Sequence, residues 1–292
     1  MNLPAKLTAT LEATLGQIIE VKPVGGGDIS QAARIRLIGG SQALIKWHTG
    51  SLPGMFTAER RGLELLRAAG ALRVPQVLAQ NEATTECPGF IVMEWLDPGS
   101  KSSSGAEALG TGLATLHRVT AASYGLDYDN FIGANPQPNR PTDNWVSFFR
   151  EQRLGFQMEL AARNGLLPPA RARHLESLLS RLDDWLPAHP PASLLHGDLW
   201  GGNWLTLVSG GPALIDPAVY YGHHEADLAF TELFGGFPAT FYAAYQTAWP
   251  LDSGYEERKD LYNLYHLLNH LNLFGSGYLG QVERTLGLLH SF

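Results

Sequence analysis

Apolar and polar positions change their period about a third of the way along the chain. Up to residue 96, alternating or continuous apolar stretches predict five strands, at 18–24, 29–38, 42–48, 74–79 and 89–95. A helical pattern at 3–15 precedes them, and another, opened by Pro53 and closed by Gly70, follows the third strand. These elements predict a small sheet accompanied by one main helix.

Beyond the segment 96–104, which is rich in Ser and contains Pro98 and Gly99, helical spacing dominates. The pattern predicts helices at 105–119, 142–163, 169–186, 225–234, 238–248 and 257–273. A strand-rich stretch at 194–215 interrupts them. We therefore expect a two-lobed α+β protein, with an N-terminal lobe at 1–96 and a mostly helical C-terminal lobe at 97–292.

Composition and charge argue against several classes of function. Of 292 residues, 45% are hydrophobic, which is enough for a real core, and the formal net charge is −7. From residue 190 onward three basic residues stand against ten acidic ones, so no basic stripe suits a nucleic acid. Cys87 is the single cysteine, and no apolar run would span a bilayer or form a secretory signal. We expect a cytoplasmic protein that binds neither nucleic acid nor membrane.

The sequence lacks the motifs that are typical of several enzyme classes. The sequence contains no G-x-x-x-x-G-K-[ST] phosphate loop, no H-E-x-x-H, no G-x-S-x-G and no C-x-x-C. The triplet Gly25-Gly26-Gly27 is not a dinucleotide-binding fingerprint, because no βαβ unit surrounds it. A nicotinamide-dependent enzyme is therefore not expected.

The most informative stretch is HGDLWGGN at 196–203. Its Asp198 and Asn203 have the spacing of a kinase catalytic loop, in which the Asp orients an attacking hydroxyl and the Asn holds a metal. Asp216 follows thirteen residues later at the end of an apolar strand, where it offers a second hard oxygen ligand for Mg²⁺. We expect Asp198 to be catalytic and Asn203 and Asp216 to be metal ligands.

Upstream residues suit a nucleotide. Lys46 ends the apolar strand ALIK and resembles the kinase lysine that contacts the α- and β-phosphates. Glu59, thirteen residues on, is its expected ion-pair partner, with Glu64 as the competing choice. The glycines Gly25, Gly26 and Gly27 would let backbone N–H groups approach phosphate. An adenine would lie against the segment that ends the first lobe, formed by Met93, Glu94, Trp95 and Leu96.

These motifs together resemble the fructosamine kinase (ketosamine-3-kinase) family, within the protein-kinase-like group that includes aminoglycoside phosphotransferases and choline kinases. The resemblance covers about residues 15–290 and is most specific in HGDLWGGNW at 196–204 and IDPAVYYG at 215–222. It implies a protein-kinase-like fold, in which an N-lobe with an antiparallel five-stranded sheet binds the nucleotide. The C-lobe would carry catalysis and the substrate.

The resemblance implies MgATP-dependent phosphorylation of the 3-hydroxyl of a ketosamine, either free or on a glycated protein lysine, in a deglycation or repair role. It also implies Asp198 as the base. We expect a monomer. Where protein kinases have D-F-G, this chain has Asp216-Pro217-Ala218, so no activation-loop switch is expected.

Substrate contacts are expected from Trp200, His196 and Glu225. An aromatic face at Trp200 would favour the cationic substrate nitrogen, although a packed core tryptophan is an equal alternative. Glu225 and Asp227 could attract the amine or simply cap a helix. Two alternatives stay open for the whole chain. One is a small-molecule kinase for an aminoglycoside, choline or homoserine, and the other is a non-catalytic ATP-binding scaffold.

Overall fold

Five antiparallel strands form the sheet of the N-terminal lobe. The structure, a computed structural model, describes residues 3–25, 29–48, 50 and 52–289. Helix α1 spans Ala5–Leu15 and α2 spans Met55–Ala69. The strands are β1 (Ile18–Pro23), β2 (Gln31–Leu37), β3 (Gln42–His48), β4 (Val77–Asn81) and β5 (Gly89–Glu94). They lie in the sheet in the order β1-β2-β3-β5-β4. The predicted antiparallel sheet is confirmed, with strand limits within a few residues of those expected.

The two faces of this sheet are covered differently. Strand β3 alternates buried and half-buried residues, and its buried Ala43, Ile45 and Trp47 pack with Leu7 and Leu11 of α1. The opposite face packs on α2, which begins at Met55 rather than at Pro53. Gly54 precedes the helix in the left-handed conformation, with φ 82°. The sheet is therefore enclosed by one helix on each side.

Helices make up most of the C-terminal lobe. They are α3 (Ser103–His117), α4 (Trp145–Phe149), α5 (Phe156–Arg163), α6 (Pro169–Ser180), α7 (Glu225–Leu233), α8 (Ala239–Ala248), α9 (Tyr255–Phe274) and α10 (Leu279–Leu289). Short strands lie between them: β6 (Thr120–Ala121), β7 (Asn130–Ile132), β8 (Asn135–Gln137), β9 (Ala192–Leu195), β10 (Trp204–Thr206), β11 (Pro212–Leu214) and β12 (Tyr220–Gly222). The expected α+β architecture with a helical second lobe is confirmed.

The helix predicted at 142–163 is divided in two. A π-helical turn at Arg150–Gly155 separates α4 from α5. This turn directs Arg153 into the core, where its guanidinium lies 3.9 Å from the Tyr220 ring and donates to Asn139 Oδ1. Hydrophobic spacing cannot distinguish this break from a continuous helix, because an inserted residue shifts the apolar face by only part of a turn.

The two lobes are also joined outside the chain connection. The predicted boundary after residue 96 falls in the irregular segment between β5 and α3. Gly99 N–H donates to Thr206 O (2.7 Å) and Val208 N–H donates to Asp97 O (3.0 Å), which fixes this segment to the C-terminal lobe. In addition, Leu214 N–H of β11 donates to Arg73 O of the N-terminal lobe (2.8 Å). Among the residues described above, no helix is long and apolar enough to cross a membrane.

Candidate active site

The loop from His196 to Asn203 joins β9 to β10 and turns sharply at its second residue. Gly197 has φ 79°, and a β-carbon there would lie 2.0 Å from Ala218 O. Only glycine tolerates both the left-handed backbone and this close approach. The loop is therefore pressed against the segment that follows Asp216, which brings the two motifs of the sequence together.

A single amide side chain connects the two motifs. Asn203 Nδ2 donates to the Asp198 main-chain oxygen (2.8 Å), to Asp198 Oδ2 (2.9 Å) and to Asp216 O (3.3 Å). Because all three partners are acceptors, the amide orientation follows from the hydrogen bonds. Asn203 Oδ1 is then left as an oxygen ligand on the other side of the amide group.

Lys46 connects this region to the N-terminal lobe. Its ammonium donates to Asp216 Oδ1 (2.5 Å) and to Glu59 Oε1 (2.7 Å). Burial lowers the pKa of Lys46, but the charges of Asp216 and Glu59 outweigh burial, so the pKa lies above its usual value. Lys46 is therefore a fixed cation. The competing partner Glu64 instead pairs with Arg60 on the exposed side of α2.

Asp216 itself has a rarely populated backbone. Its φ is 55°, and within the described ranges it is the one residue other than glycine with a positive φ. Asp tolerates this left-handed region better than most residues, at a cost that surrounding contacts must offset. The conformation lets the Asp216 carboxylate reach Lys46 while its main-chain oxygen meets Asn203.

Asp198 lies half-buried at the centre of this arrangement. Burial, followed by the nearby charge of Asp216, raises the pKa of Asp198 to about 7, although the hydrogen bond from Asn203 opposes the rise. A carboxylate with a raised pKa is a stronger base than an exposed one. The raised pKa therefore suits Asp198 to accept a proton from a hydroxyl group that it orients.

The donor atoms present suit Mg²⁺. Asn203 Oδ1 and the carboxylate of Asp216 are hard oxygen ligands on neighbouring segments, and such sites are completed by water and phosphate oxygens. No group of three or more His, Cys, Asp or Glu side chains with metal-binding geometry occurs in the part of the chain that the structure covers. A site with few protein ligands is consistent with both observations.

A buried carboxylate holds the loop from behind. Asp227 of α7 accepts hydrogen bonds from the main-chain N–H of His196 (2.7 Å) and of Gly197 (2.9 Å), and from the His117 side chain (3.2 Å). Burial raises the pKa of Asp227, but the hydrogen bonds that it accepts from His117 and from the Gly197 N–H favour the charged form, and the pKa lies below its usual value. Only 2% of Asp227 is accessible, so its carboxylate is not exposed to bind a substrate amine.

The three residues expected to contact substrate have different surroundings. Trp200 is 40% exposed, and its ring lies over Gly202, where a β-carbon would meet it at 2.3 Å. His196 is fully buried and bonds Ile215 O through Nε2 (2.9 Å). Glu225 is fully buried in an ion pair with Arg258, at 2.6 and 2.7 Å. This burial favours anchoring roles for His196 and Glu225 and leaves Trp200 as the accessible side chain.

Four of the expected nucleotide-binding residues lie at the end of β5 and directly after it. Met93 is a buried residue of β5, while Glu94, the last residue of that strand, forms an ion pair with Arg73. Trp95 Nε1 donates to Asp97 Oδ1 (2.7 Å), and Leu96 is buried. Gly25 has open space around it, whereas Gly26 and Gly27 lie outside the described residues.

One contact of this site was not anticipated from sequence. The ammonium of Lys101 donates to Gly201 O (2.7 Å) and lies 4.4 Å from the centre of the Trp204 ring. It thereby connects the segment between the lobes to the loop that carries Asp198 and Asn203. A lysine in a Ser-rich segment gives no sequence signal for such a contact.

Comparison with known proteins gives a consistent result. The fructosamine kinase family model matches residues 2–291. A probable ketoamine kinase from Synechocystis sp. is 42% identical, with 98% of this chain and 97% of the relative covered. The chloroplastic protein-ribulosamine 3-kinase of Arabidopsis thaliana is 39% identical, with 91% of this chain and 81% of the relative covered.

Solved structures agree with this assignment. The crystal structure of a candidate fructosamine-3-kinase from Thermobifida fusca superposes with a TM-score of 0.88 at 32% identity, covering 98% of this chain and 99% of the other. An aminoglycoside phosphotransferase (TM-score 0.69, 15% identity) and a choline kinase from Streptococcus pneumoniae (0.62, 16%) share the fold alone. The motifs, the architecture and these relatives lead to one conclusion: the chain belongs to the fructosamine kinase family.

Proposed function

We propose that this protein transfers the terminal phosphoryl group of ATP to the 3-hydroxyl of a ketosamine. The observation that carries the proposal is the continuous set of contacts from Glu59 through Lys46 and Asp216 to Asn203 and Asp198. This set supplies a fixed cation, two oxygen ligands and a base, which is what phosphoryl transfer requires. Membership of a kinase family implies the use of ATP. One of the relatives is named as a protein-ribulosamine 3-kinase, which supports a ketosamine as the acceptor.

Each residue then has a defined task. Asp198 orients the acceptor hydroxyl and receives its proton as the hydroxyl oxygen bonds to the terminal phosphorus of ATP and the bond from that phosphorus to the departing ADP breaks. Lys46, held by Glu59, balances negative charge on the nucleotide phosphates. Asn203 and Asp216 would hold Mg²⁺, which neutralises phosphate charge when bound. Catalysis therefore comes mainly from positioning and charge neutralisation.

The substrate side is assigned to Trp200. Its exposed ring is two residues from Asp198 and offers an aromatic face to the cationic nitrogen of a ketosamine. The acceptor would be a free ketosamine or a glycated lysine on a protein surface, and the physiological role would be deglycation. We further propose a monomeric, cytoplasmic enzyme.

Release of ADP against a panel of acceptors tests the proposal. We expect Mg²⁺-dependent turnover of ribulose-lysine or fructose-lysine, with the phosphate mapped to the 3-hydroxyl by NMR, and none of kanamycin, choline or homoserine. Asp198→Ala serves as the control, because it should abolish turnover while ATP affinity stays within a few-fold.

Two other outcomes would replace the proposal. Turnover only of an aminoglycoside, choline or homoserine would retain the role of Asp198 but change the substrate class, as the shared fold allows. Tight ATP binding with no turnover of any acceptor would indicate a scaffold. The intact set of Lys46, Asp198, Asn203 and Asp216 argues against a scaffold.

A further inference from the structure

A chain of four buried polar side chains leads away from the catalytic loop. Asp227 Oδ2 lies 3.2 Å from His117 Nε2, and His117 Nδ1 lies 2.8 Å from the Tyr245 hydroxyl. The same hydroxyl lies 3.0 Å from His224 Nδ1. None of the four residues is more than 3% exposed, so water does not compete for these contacts.

The hydrogen bonds in this chain have one direction when both imidazoles are neutral. A carboxylate only accepts, so Asp227 requires a proton on His117 Nε2, and His117 Nδ1 is then an acceptor. Tyr245 must donate its single proton to that nitrogen. Its oxygen can therefore only accept from His224, which requires the proton of His224 on Nδ1.

Three separate elements contribute to this chain. His117 ends α3, Tyr245 is on α8, and His224 immediately precedes α7, on which Asp227 lies. The His224 ring is stacked on Trp249 at 4.4 Å between ring centres. Burial lowers the pKa of His224 to about 3, so this ring stays neutral. The neutral His224 ring can still adopt two tautomers, with the proton on either Nδ1 or Nε2.

We propose that Tyr245 and His224 are positioning residues for phosphoryl transfer. They fix the His117 tautomer that donates to Asp227, and Asp227 in turn holds the His196–Gly197 turn that places Asp198. The proposal rests on the proposed function, because its effect is measured on phosphoryl transfer. Neither residue touches the reacting atoms, so their removal should slow the chemical step and leave nucleotide binding intact.

The first test removes one hydroxyl. Tyr245→Phe keeps the ring and breaks the chain at its centre, and we expect kcat to fall about tenfold while KM for ATP stays within twofold. Tyr242→Phe is the matched control, since Tyr242 is on the same helix and its hydroxyl meets Thr231 rather than a histidine. Equal values of kcat in the two variants would overturn the proposal.

The second test examines His224. His224→Asn retains an N–H donor near the position of Nδ1, so we expect activity within threefold of the original protein. His224→Phe fills a similar volume without that donor, and we expect it to lose kcat as Tyr245→Phe does. Equal loss in both His224 variants would indicate that only packing matters and would contradict the proposal.

The third test does not depend on turnover. Nitrogen-15 NMR of histidine-labelled protein at pH 8.5, assigned with His224→Asn, should show His224 protonated on Nδ1. That proton should shift to Nε2 in Tyr245→Phe and remain in Tyr242→Phe. A His224 signal protonated on Nε2 in the original protein overturns the proposal. If no ketosamine is phosphorylated, the proposed function fails, whereas the histidine tautomers still decide whether this chain of hydrogen bonds exists.

Discussion

Gly62 of α2 lies directly against Val219, in the segment that follows Asp216. A β-carbon at Gly62 would be 3.2 Å from Val219 Cγ2 and 3.6 Å from Pro217 Cγ. Glu59 is three residues earlier and therefore shares this face of the helix. The contact holds α2 at the distance from which Glu59 reaches Lys46. The segment that contains Pro217 and Val219 therefore contributes to the position of the helix.

Substitution at Gly62 should therefore weaken nucleotide binding. Gly62→Val places three carbons against Val219, which displaces α2 and separates Glu59 from Lys46. We expect kcat/KM for ATP to fall about tenfold, equivalent to about 1.4 kcal/mol. Steady-state kinetics and calorimetric ATP titration measure this change.

Ala68→Val is the matched control on the exposed side of α2, where the same side chain costs only helix propensity, about 0.5 kcal/mol. If both substitutions change the affinity for ATP equally, the Gly62 contact does not position Glu59.

The positive φ of Asp216 allows its charge and its backbone to be tested separately. Asp216→Asn keeps a residue that tolerates the left-handed region, whereas Asp216→Ala does not. We expect both variants to lose about 100-fold or more in kcat because the oxygen ligand is altered. The alanine variant should also unfold with a free energy about 1 kcal/mol lower than that of the asparagine variant. Urea unfolding and Mg²⁺ titration of ADP release distinguish the two effects.

Asp227 should contribute stability that depends on pH. Its pKa in the folded protein lies below the ordinary value of an aspartate, so its stabilisation is fully present above that ordinary value and is lost as the pH falls through the folded pKa. Asp227→Asn should lower the free energy of unfolding by about 2 kcal/mol at pH 7, because two main-chain N–H groups and His117 lose a charged acceptor. The difference from the original protein should shrink below pH 4, as followed by urea unfolding.

Asp127→Asn provides the comparison for a surface carboxylate. Asp127 is 79% exposed and pairs with Arg61, and exposed pairs of this kind contribute about 0–1 kcal/mol. A loss at Asp127 as large as that at Asp227 would show that charge alone, and not the buried hydrogen bonds, produces the effect.

Lys101 should influence the acceptor more than the nucleotide. Lys101→Met keeps the aliphatic stem but removes the donor to Gly201 O and the charge over Trp204. We expect KM for the ketosamine to rise about fivefold, which equals about 1 kcal/mol, with ATP affinity unchanged. Initial rates at varied acceptor concentration measure this effect, and Lys101→Arg should recover part of it. A parallel loss of ATP affinity would place the role of Lys101 elsewhere.

Much of this site could be predicted because its residues lie in short, patterned segments. The spacing of Asp198, Asn203 and Asp216 indicates a catalytic loop and a strand end, and Lys46 ends an alternating strand. The structure brings all four together, with Glu59 rather than Glu64 as the partner of Lys46. Their individual roles in catalysis stay predictions until variants are assayed.

The supporting residues could not be predicted in the same way. His117 and Asp227 are 110 positions apart, and no local pattern links them. A carboxylate near the start of a helix, such as Asp227, more often caps that helix. The sequence alone therefore favours a capping role for Asp227. The hairpin formed by β7 and β8 was also missed, because strands of three residues are too short to show a period.

The core that α2 shares with the C-terminal lobe has a consequence for how the protein unfolds. Leu63, Leu66 and Met93 pack in the same hydrophobic cluster as Leu214 and Val219, on opposite sides of the predicted boundary. A chain cut after residue 96 would leave these side chains in water, and Arg73 O would lose its partner on β11. We therefore expect heating to melt both lobes in one step, so that scanning calorimetry records a single heat-absorption peak.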